Sequence, residues 1–363
     1  MAIPTTRDRA ATAVALARWL EDAVPGAADT RVQLHDAPAG TGFSSDTVVF
    51  DATWSSPDGP TASSYVARLR PTGYTLYQEH DLEKQWRVID ALQRHSTVPV
   101  PRIVGHDTSD ASPLGQPFFV MERVEGRAPA DAPPYTIAGW LHDAGAADQA
   151  ALFERALDVL ARIHAVDWER LGLGPLLGAA TSPPVGTARQ MAHDARFLDW
   201  VLAGRRFPVF EDAVAWLADR VPDERELVLN WGDARLGNIL FRHFAPVAVV
   251  DWEMVTLGAP EADLAWWIVF MRLHTTGINK PELPGFPSPA DTVHQYERLS
   301  GRSVGDLLFY EVRAALRAGL LLVRFTDALV ANGTLAPDAP KTPYTPAARV
   351  LAQLLADAAD REA

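Results

Sequence analysis

Apolar residues recur along this chain with two different periods, and the change from one to the other divides it. Ala13, Leu16, Leu20 and Val24 fall on one face at helical spacing and Pro25-Gly26 stops the run, so the pattern predicts an opening helix. A period of two follows. Val48 to Trp54 and Ser64 to Arg70 read as strands on either side of a turn at Pro57-Asp58-Gly59-Pro60. In the second strand Tyr65, Ala67 and Leu69 share one face and Val66, Arg68 and Arg70 the other. Helical spacing returns from Asp81 to about His95. There Leu82, Trp86, Ile89 and Leu92 form the apolar stripe, Gln85 lies on the same face, and Val98-Pro99-Val100-Pro101 breaks the helix. Pro117 to Glu122 is a short apolar run typical of a buried strand, and it ends in Arg123-Val124-Glu125-Gly126.

Beyond Gly126 the pattern changes. Pro129, Pro133 and Pro134 mark a connector, and helical periodicity then dominates from about Asp148 to Asp167. It resumes over Ala262 to Leu273 and Leu307 to Asn332, with a proline-rich loop from Pro281 to Pro289 in between. Between the helices lie three short apolar segments, Leu227 to Leu229, Ile239 to Phe241 and Val247 to Val250, read as strands of one small sheet. The expected fold class is α+β: an N-terminal helix over 1–27, a β-rich lobe with one long helix over 28–124, and a larger, mainly helical lobe over 125–363. Most of the eleven tryptophans, Trp19, Trp86, Trp200, Trp216 and Trp266 among them, stand on helical stretches and read as core.

Composition narrows the chemistry. With no cysteine in 363 residues there is neither a disulfide framework, a thiolate zinc site nor a cysteine nucleophile, which fits a reducing cytosol. No apolar run is long enough to span a bilayer, and charges interrupt the apolar residues between Arg7 and Asp22, unlike a signal peptide. A cytoplasmic location is the expectation. The formal charge of −13 argues against a nucleic-acid partner, whose phosphates need a surface rich in lysine and arginine. It permits a cationic small substrate, although an acidic surface serves solubility equally well. The ten histidines show no metal-ligand spacing, and His164 reads as a satisfied packing residue.

The chemistry concentrates in Trp231-Gly232-Asp233-Ala234-Arg235-Leu236-Gly237-Asn238 and in Asp251-Trp252-Glu253. In-line phosphoryl transfer needs a carboxylate to orient and deprotonate the attacking hydroxyl, and hard oxygen ligands to hold Mg²⁺ on the phosphates. Asp233, Asn238 and Asp251 have the type, order and spacing for those three jobs. In Gly40-Thr41-Gly42-Phe43-Ser44-Ser45, backbone amides and serine hydroxyls can fold over nucleotide phosphates, so Gly42, Phe43 and Ser44 are candidate contacts. Arg68 stands where a strand cation would grip those phosphates, with Arg70 as its competitor. Gln85 is the polar residue on the helix face that would orient it.

These residues resemble the catalytic core of the aminoglycoside-phosphotransferase-like family, which shares its fold with choline kinases and, more distantly, protein kinases. The Trp231 to Trp267 segment is most similar to actinobacterial members and, through them, to the kinase domains linked to acyl-CoA dehydrogenases. The resemblance implies a two-lobed protein-kinase-like fold and ATP-dependent phosphorylation of a small-molecule hydroxyl. Asp233 would be the base, and Asn238 and Asp251 the magnesium ligands. Backbone groups near Glu122 and Val124 would hold adenine in the hinge, and Asp263 would brace the catalytic loop. Departures from the pattern are Trp231 in place of the family's usual His, an arginine in place of lysine at position 68, and Gln85 where Glu is commoner. They motivate a rival reading as a nucleotide-binding pseudokinase with a regulatory role. An aminoglycoside and a hydroxylated acyl-CoA or similar metabolite are the two acceptors considered, the second preferred.

Overall fold

A computed structural model of the chain describes residues 8–36, 46–57, 59–71, 73–109, 111–179, 186–223, 226–305, 307–336 and 345–362. Gly42, Phe43 and Ser44 lie outside the described residues. Two compact units divide the chain: Met1–Arg94 with Val100–Glu125, and His95–Pro99 with Gly126–Ala363.

In the first unit, α1 (Arg9–Ala23) opens on Asp8, whose carboxylate accepts the N–H groups of Ala10 and Ala11 at 2.9 and 3.1 Å. It is followed by β1 (Ala28–Leu34), β2 (Asp46–Ser56), β3 (Gly59–Leu69), α2 (Leu82–His95), β4 (Ile103–Asp107) and β5 (Phe118–Glu122). The strands form one antiparallel sheet in the order β1-β2-β3-β5-β4. Leu16 and Leu20 of α1 join Phe50, Tyr65, Ala67, Leu69, Phe118 and Val120 in one buried cluster, so the predicted alternation along β3 holds, with Tyr65, Ala67 and Leu69 inward. Both sheet edges, β1 and β4, lack a fully buried residue; β1 alternates only between exposed and half-buried positions. On α2 the buried residues are Leu82, Gln85, Val88, Ile89 and Leu92. Trp86 is only half-buried and stacks on His106 at 3.8 Å between ring centroids.

The second unit runs through α3 (Ala146–His164), α4 (Gly174–Leu177), α5 (Gly186–Leu202), α6 (Pro208–Ala218), β6 (Val228–Asn230), β7 (Ile239–Arg242), β8 (Ala245–Val249), β9 (Thr256–Gly258), α7 (Pro260–His274), α8 (Pro289–Ser300), α9 (Leu307–Ala331) and α10 (Thr345–Glu362). Its central helix α7 is apolar around most of its circumference and packs against α9, which also packs on α10. The expected single small sheet is two separate antiparallel ribbons, β6 with β9 and β7 with β8. The physical reason is the 3₁₀ turn Leu236–Asn238, which lifts the chain away from β6 before β7 begins, so that β6 pairs instead with the strand that returns after Asp251. A two-residue turn at His243-Phe244 closes β7 onto β8, with φ of +50° and +57°, the mirror-image geometry that suits strand twist.

The tryptophan reading needs the same correction. Trp266 is buried, whereas Trp19, Trp86, Trp200 and Trp216 are half-exposed; Trp231, Trp252 and Trp267 are the fully enclosed ones. Indoles on amphipathic helices bury a face and keep an edge wet, which helical periodicity alone does not reveal. Among the described residues no helix is long and apolar enough to cross a membrane.

Candidate functional site

β6 delivers the chain into Trp231–Asn238, and a single buried carboxylate fixes how it turns. Asp263, in the first turn of α7, accepts the backbone N–H of Trp231 at 2.6 Å and that of Gly232 at 2.9 Å. Its Oδ2 also lies 3.2 Å from His164 Nε2, while His164 Nδ1 lies 2.6 Å from the Tyr296 hydroxyl. Burial pushes the Tyr296 phenol well above its usual range, so it remains a donor to Nδ1 and directs the Nε2–H at Asp263. A carboxylate that is 1% exposed would be costly alone; these donors offset its lost hydration. Asp263 and His164 are thus supports of the loop. Gly232 sits at φ +91°, and a Cβ there would fall 2.2 Å from the Met254 carbonyl oxygen, so only glycine lets the loop pass.

Asp233 is 7% exposed and held from three sides. Trp266 Nε1 donates to Oδ1 at 2.8 Å, Asn238 Nδ2 donates to Oδ2 at 2.6 Å, and Arg235 Nε reaches both oxygens at 3.0 and 3.1 Å. Arg235 also pairs with Asp131 and lies over the Phe270 ring. Burial alone would lower the Arg235 pKa, but the two carboxylates outweigh it and hold the guanidinium charged. Sequence reasoning missed Trp266 and Arg235 as partners of Asp233, and Asp131 as the second carboxylate on Arg235. The available signal was Trp266 one helical turn after Asp263, on the same face of α7.

Asn238 is nearly buried and spends its amide nitrogen on Asp233, donating to the backbone oxygen at 3.1 Å as well as to Oδ2. Its side-chain carbonyl is therefore the atom it offers a ligand. The Val250 N–H donates to the Asn238 backbone oxygen at 3.0 Å, which brings the end of β8 alongside. Asp251 follows in the left-handed region at φ +61°, a conformation unusual outside glycine. The buried indole of Trp231 donates to the carbonyls of Val250 and Asp251 at 3.1 and 3.2 Å, so the residue that replaces the family's His ties the catalytic loop to the second aspartate. The donor set of one carboxylate and one amide oxygen suits a hard cation such as Mg²⁺. Among the described residues no three His, Asp or Glu converge as a metal cage.

The other predicted residues belong to the first unit. Arg68 is half-buried on the β3 face opposite Tyr65, in register with Phe119 of β5. Gln85 is 3% exposed on the packed face of α2. Glu122 ends β5; its N–H donates to the Arg102 carbonyl at 2.9 Å and its carboxylate takes the Arg102 guanidinium at 2.5 Å, while Val124 lies two residues on.

Residues 35–281 match the phosphotransferase enzyme family, and the chain belongs to that family. The human protein named acyl-CoA dehydrogenase family member 11 is 32% identical over 248 residues, which is 66% of this chain and 30% of that protein. Its Gallus gallus counterpart is 34% identical over 206 residues, 56% and 25% of the two chains. The chain thus spans under a third of the length of these relatives. Among solved structures, a candidate aminoglycoside phosphotransferase from Ralstonia eutropha superposes with TM-score 0.70 at 24% identity, covering 94% of this chain and 98% of its own. An ethanolamine kinase from Plasmodium vivax gives 0.54 at 10% identity, covering 90% and 81%. The fold is kinase-like, and the family makes the chain a kinase-type phosphotransferase.

Proposed function

We propose that the chain transfers the γ-phosphoryl group of ATP to a hydroxyl of a small molecule. The observation that carries this reading is the arrangement around Asp233: a buried carboxylate fixed by Trp266 and Asn238, with the Asn238 carbonyl and Asp251 joined to it through the Trp231 and Val250 hydrogen bonds. In this scheme Asp233 orients the acceptor hydroxyl and takes its proton as the oxygen attacks phosphorus. Asn238 Oδ1 and the Asp251 carboxylate hold Mg²⁺, which neutralises charge on the phosphates when bound. Arg68 supplies the cation for the α- and β-phosphates, with Gln85 to orient it, and the Gly42, Phe43 and Ser44 loop covers them. Backbone groups near Glu122 and Val124 take adenine.

The family's antibiotic acceptors do not follow from the fold, because the solved neighbours share at most 24% identity with the chain. An aminoglycoside and a hydroxylated acyl metabolite both fit the reaction. The test is ADP release with Mg-ATP across both acceptor classes, run beside Asp233→Asn. Product formation lost by roughly three orders of magnitude in the variant, with Mg-ATP binding retained, is the expected result. Nucleotide binding without turnover on any acceptor would favour the pseudokinase, and no nucleotide binding would overturn the reading.

A further inference from the structure

One face of the first unit's sheet packs on Leu16 and Leu20 of α1, and the opposite face carries a polar cluster that the phosphotransfer scheme leaves unused. His35, just past β1, donates its backbone N–H to the Val49 carbonyl at 2.8 Å. Its ring Nε2 lies 2.7 Å from Asp51 Oδ2, and the Ser64 hydroxyl donates to Asp51 Oδ1 at 2.6 Å. The Ser64 hydroxyl and then the His35 ring hold the Asp51 carboxyl below its usual range. An ionised carboxylate only accepts, so His35 carries a proton on Nε2 and Asp51 sets the orientation of the ring. Ser64 spends its hydroxyl on the aspartate rather than on the imidazole, so the cluster is not the relay of a serine hydrolase.

Strand register shows what the ring stands beside. Side chains two apart share a face, so Ser64, Val66 and Arg68 of β3 lie opposite the Tyr65, Ala67 and Leu69 core face. Their partners on β2 are Asp51, Val49 and Thr47, and Met121 of β5 pairs with Val66. One row across the sheet is therefore His35, Val49, Val66 and Met121. The row on one side of it holds Asp51 and Ser64, and the row on the other holds Thr47 and Arg68, each about 6.6 Å away. The Arg123 N–H donates to the Ser64 carbonyl at 2.9 Å, so the segment Glu122 to Val124 leaves the sheet at the Met121 end of the middle row. That row offers two valines as an apolar floor, adenine-binding backbone at one end and an imidazole at the other. A purine lying there with one edge toward Glu122 and Val124 turns its sugar edge to His35, with Arg68 one row along for the phosphates. The His35 and Asp51 side chains are 34% and 43% exposed, so a ligand can reach them.

We propose that His35 is a nucleoside contact, its ring packing on the base–sugar edge of the bound nucleotide while Asp51 and Ser64 hold it in position. Every residue of this row and its supports belongs to the first unit. The inference rests on the phosphotransferase reading and deepens it, because that reading holds the nucleoside by backbone groups alone. Ring packing on a base is independent of the phosphates, so the contribution of His35 travels with the nucleoside part of the ligand.

The test is ligand-observed NMR on the full chain with two probes, Mg-ADP and adenosine. Both are expected to bind, and His35→Ala should weaken both by the same factor, about tenfold. His35→Phe, which restores a flat ring, should recover most of the loss. His35→Gln keeps a donor for Asp51 without the ring; it should bind as weakly as the alanine variant and replaces it should that variant fail to fold. Asp51→Asn should weaken binding severalfold alone and add nothing in the His35→Ala background, a coupling that a purely structural role would not produce. Affinity unchanged on removal of the ring, a loss on Mg-ADP without one on adenosine, or adenosine failing to bind a chain that binds Mg-ADP would each overturn the proposal. Full additivity of the two substitutions would overturn the role given to Asp51. Failure of the unaltered chain to bind Mg-ADP would instead sink the phosphotransferase reading, whatever the variants do.

Discussion

Trp266 Nε1 donates to Asp233 Oδ1 at 2.8 Å, and the same indole stands beside Arg313 and Arg317 in a cavity wall. One side chain therefore fixes the carboxylate on one side and bounds a small cavity on the other. The tightness of the bond follows from burial, since a charged acceptor out of water gains more from each donor.

Trp266→Phe keeps the ring packing and deletes that donor. A hydrogen bond to a buried charge is worth about 1.5–3 kcal/mol, so turnover should fall roughly tenfold to a hundredfold. Steady-state kinetics beside a thermal melt checks it; a large loss of melting temperature with kcat unchanged would show that Trp266 only packs.

Trp231→Phe removes the donor shared by the Val250 and Asp251 carbonyls while leaving the backbone N–H that Asp263 holds. The expected effect is on the cation: the Mg²⁺ concentration for half-maximal activity should rise about tenfold, as for other supports behind a metal ligand. A magnesium titration at saturating ATP reads it.

Gly232→Ala forces a side chain into the left-handed region and against the Met254 carbonyl. The cost should reach about 3 kcal/mol or more, a fall of roughly 5–10 °C in melting temperature, with activity lost alongside. Calorimetry of the purified variant decides it.

Glu282 gives a pH signature. Burial raises its carboxyl to about 7, so the folded chain keeps a proton that the unfolded chain has released above pH 4.5. The stabilisation is complete below pH 4.5 and is lost as pH rises toward 7, because over that window the unfolded state binds fewer protons. Glu282→Gln should remove this decline and raise the melting temperature by a few degrees at pH 7–8. Melting curves from pH 5 to 8 test it, and parallel curves for the two proteins would refute the assignment.

What sequence could show was governed by how strongly each segment is buried on one face. β3 and α2 were legible because Tyr65, Ala67, Leu69 and Leu82, Ile89, Leu92 face a core. The edge strands β1 and β4 escaped because they are short and hold no fully buried residue, which leaves only a weak pattern to read. The triad of Asp233, Asn238 and Asp251 stood out because its spacing is local. Of its supports, only the Asp263 brace was expected, through the family resemblance; Trp266 on Asp233 and Tyr296 on His164 are joined only by folding.

The hydrogen bond from Tyr296 to His164 has a consequence for where this enzyme can be cut. The segment matched by the family ends at 281, whereas Tyr296 comes later in the chain. A fragment trimmed to the shared region would retain Asp233, Asn238 and Asp251 and lose the outermost member of the relay that shapes the loop. On the ribosome the same ordering applies, so the loop cannot be fully braced until α8 has emerged, well after Asp251 has been translated.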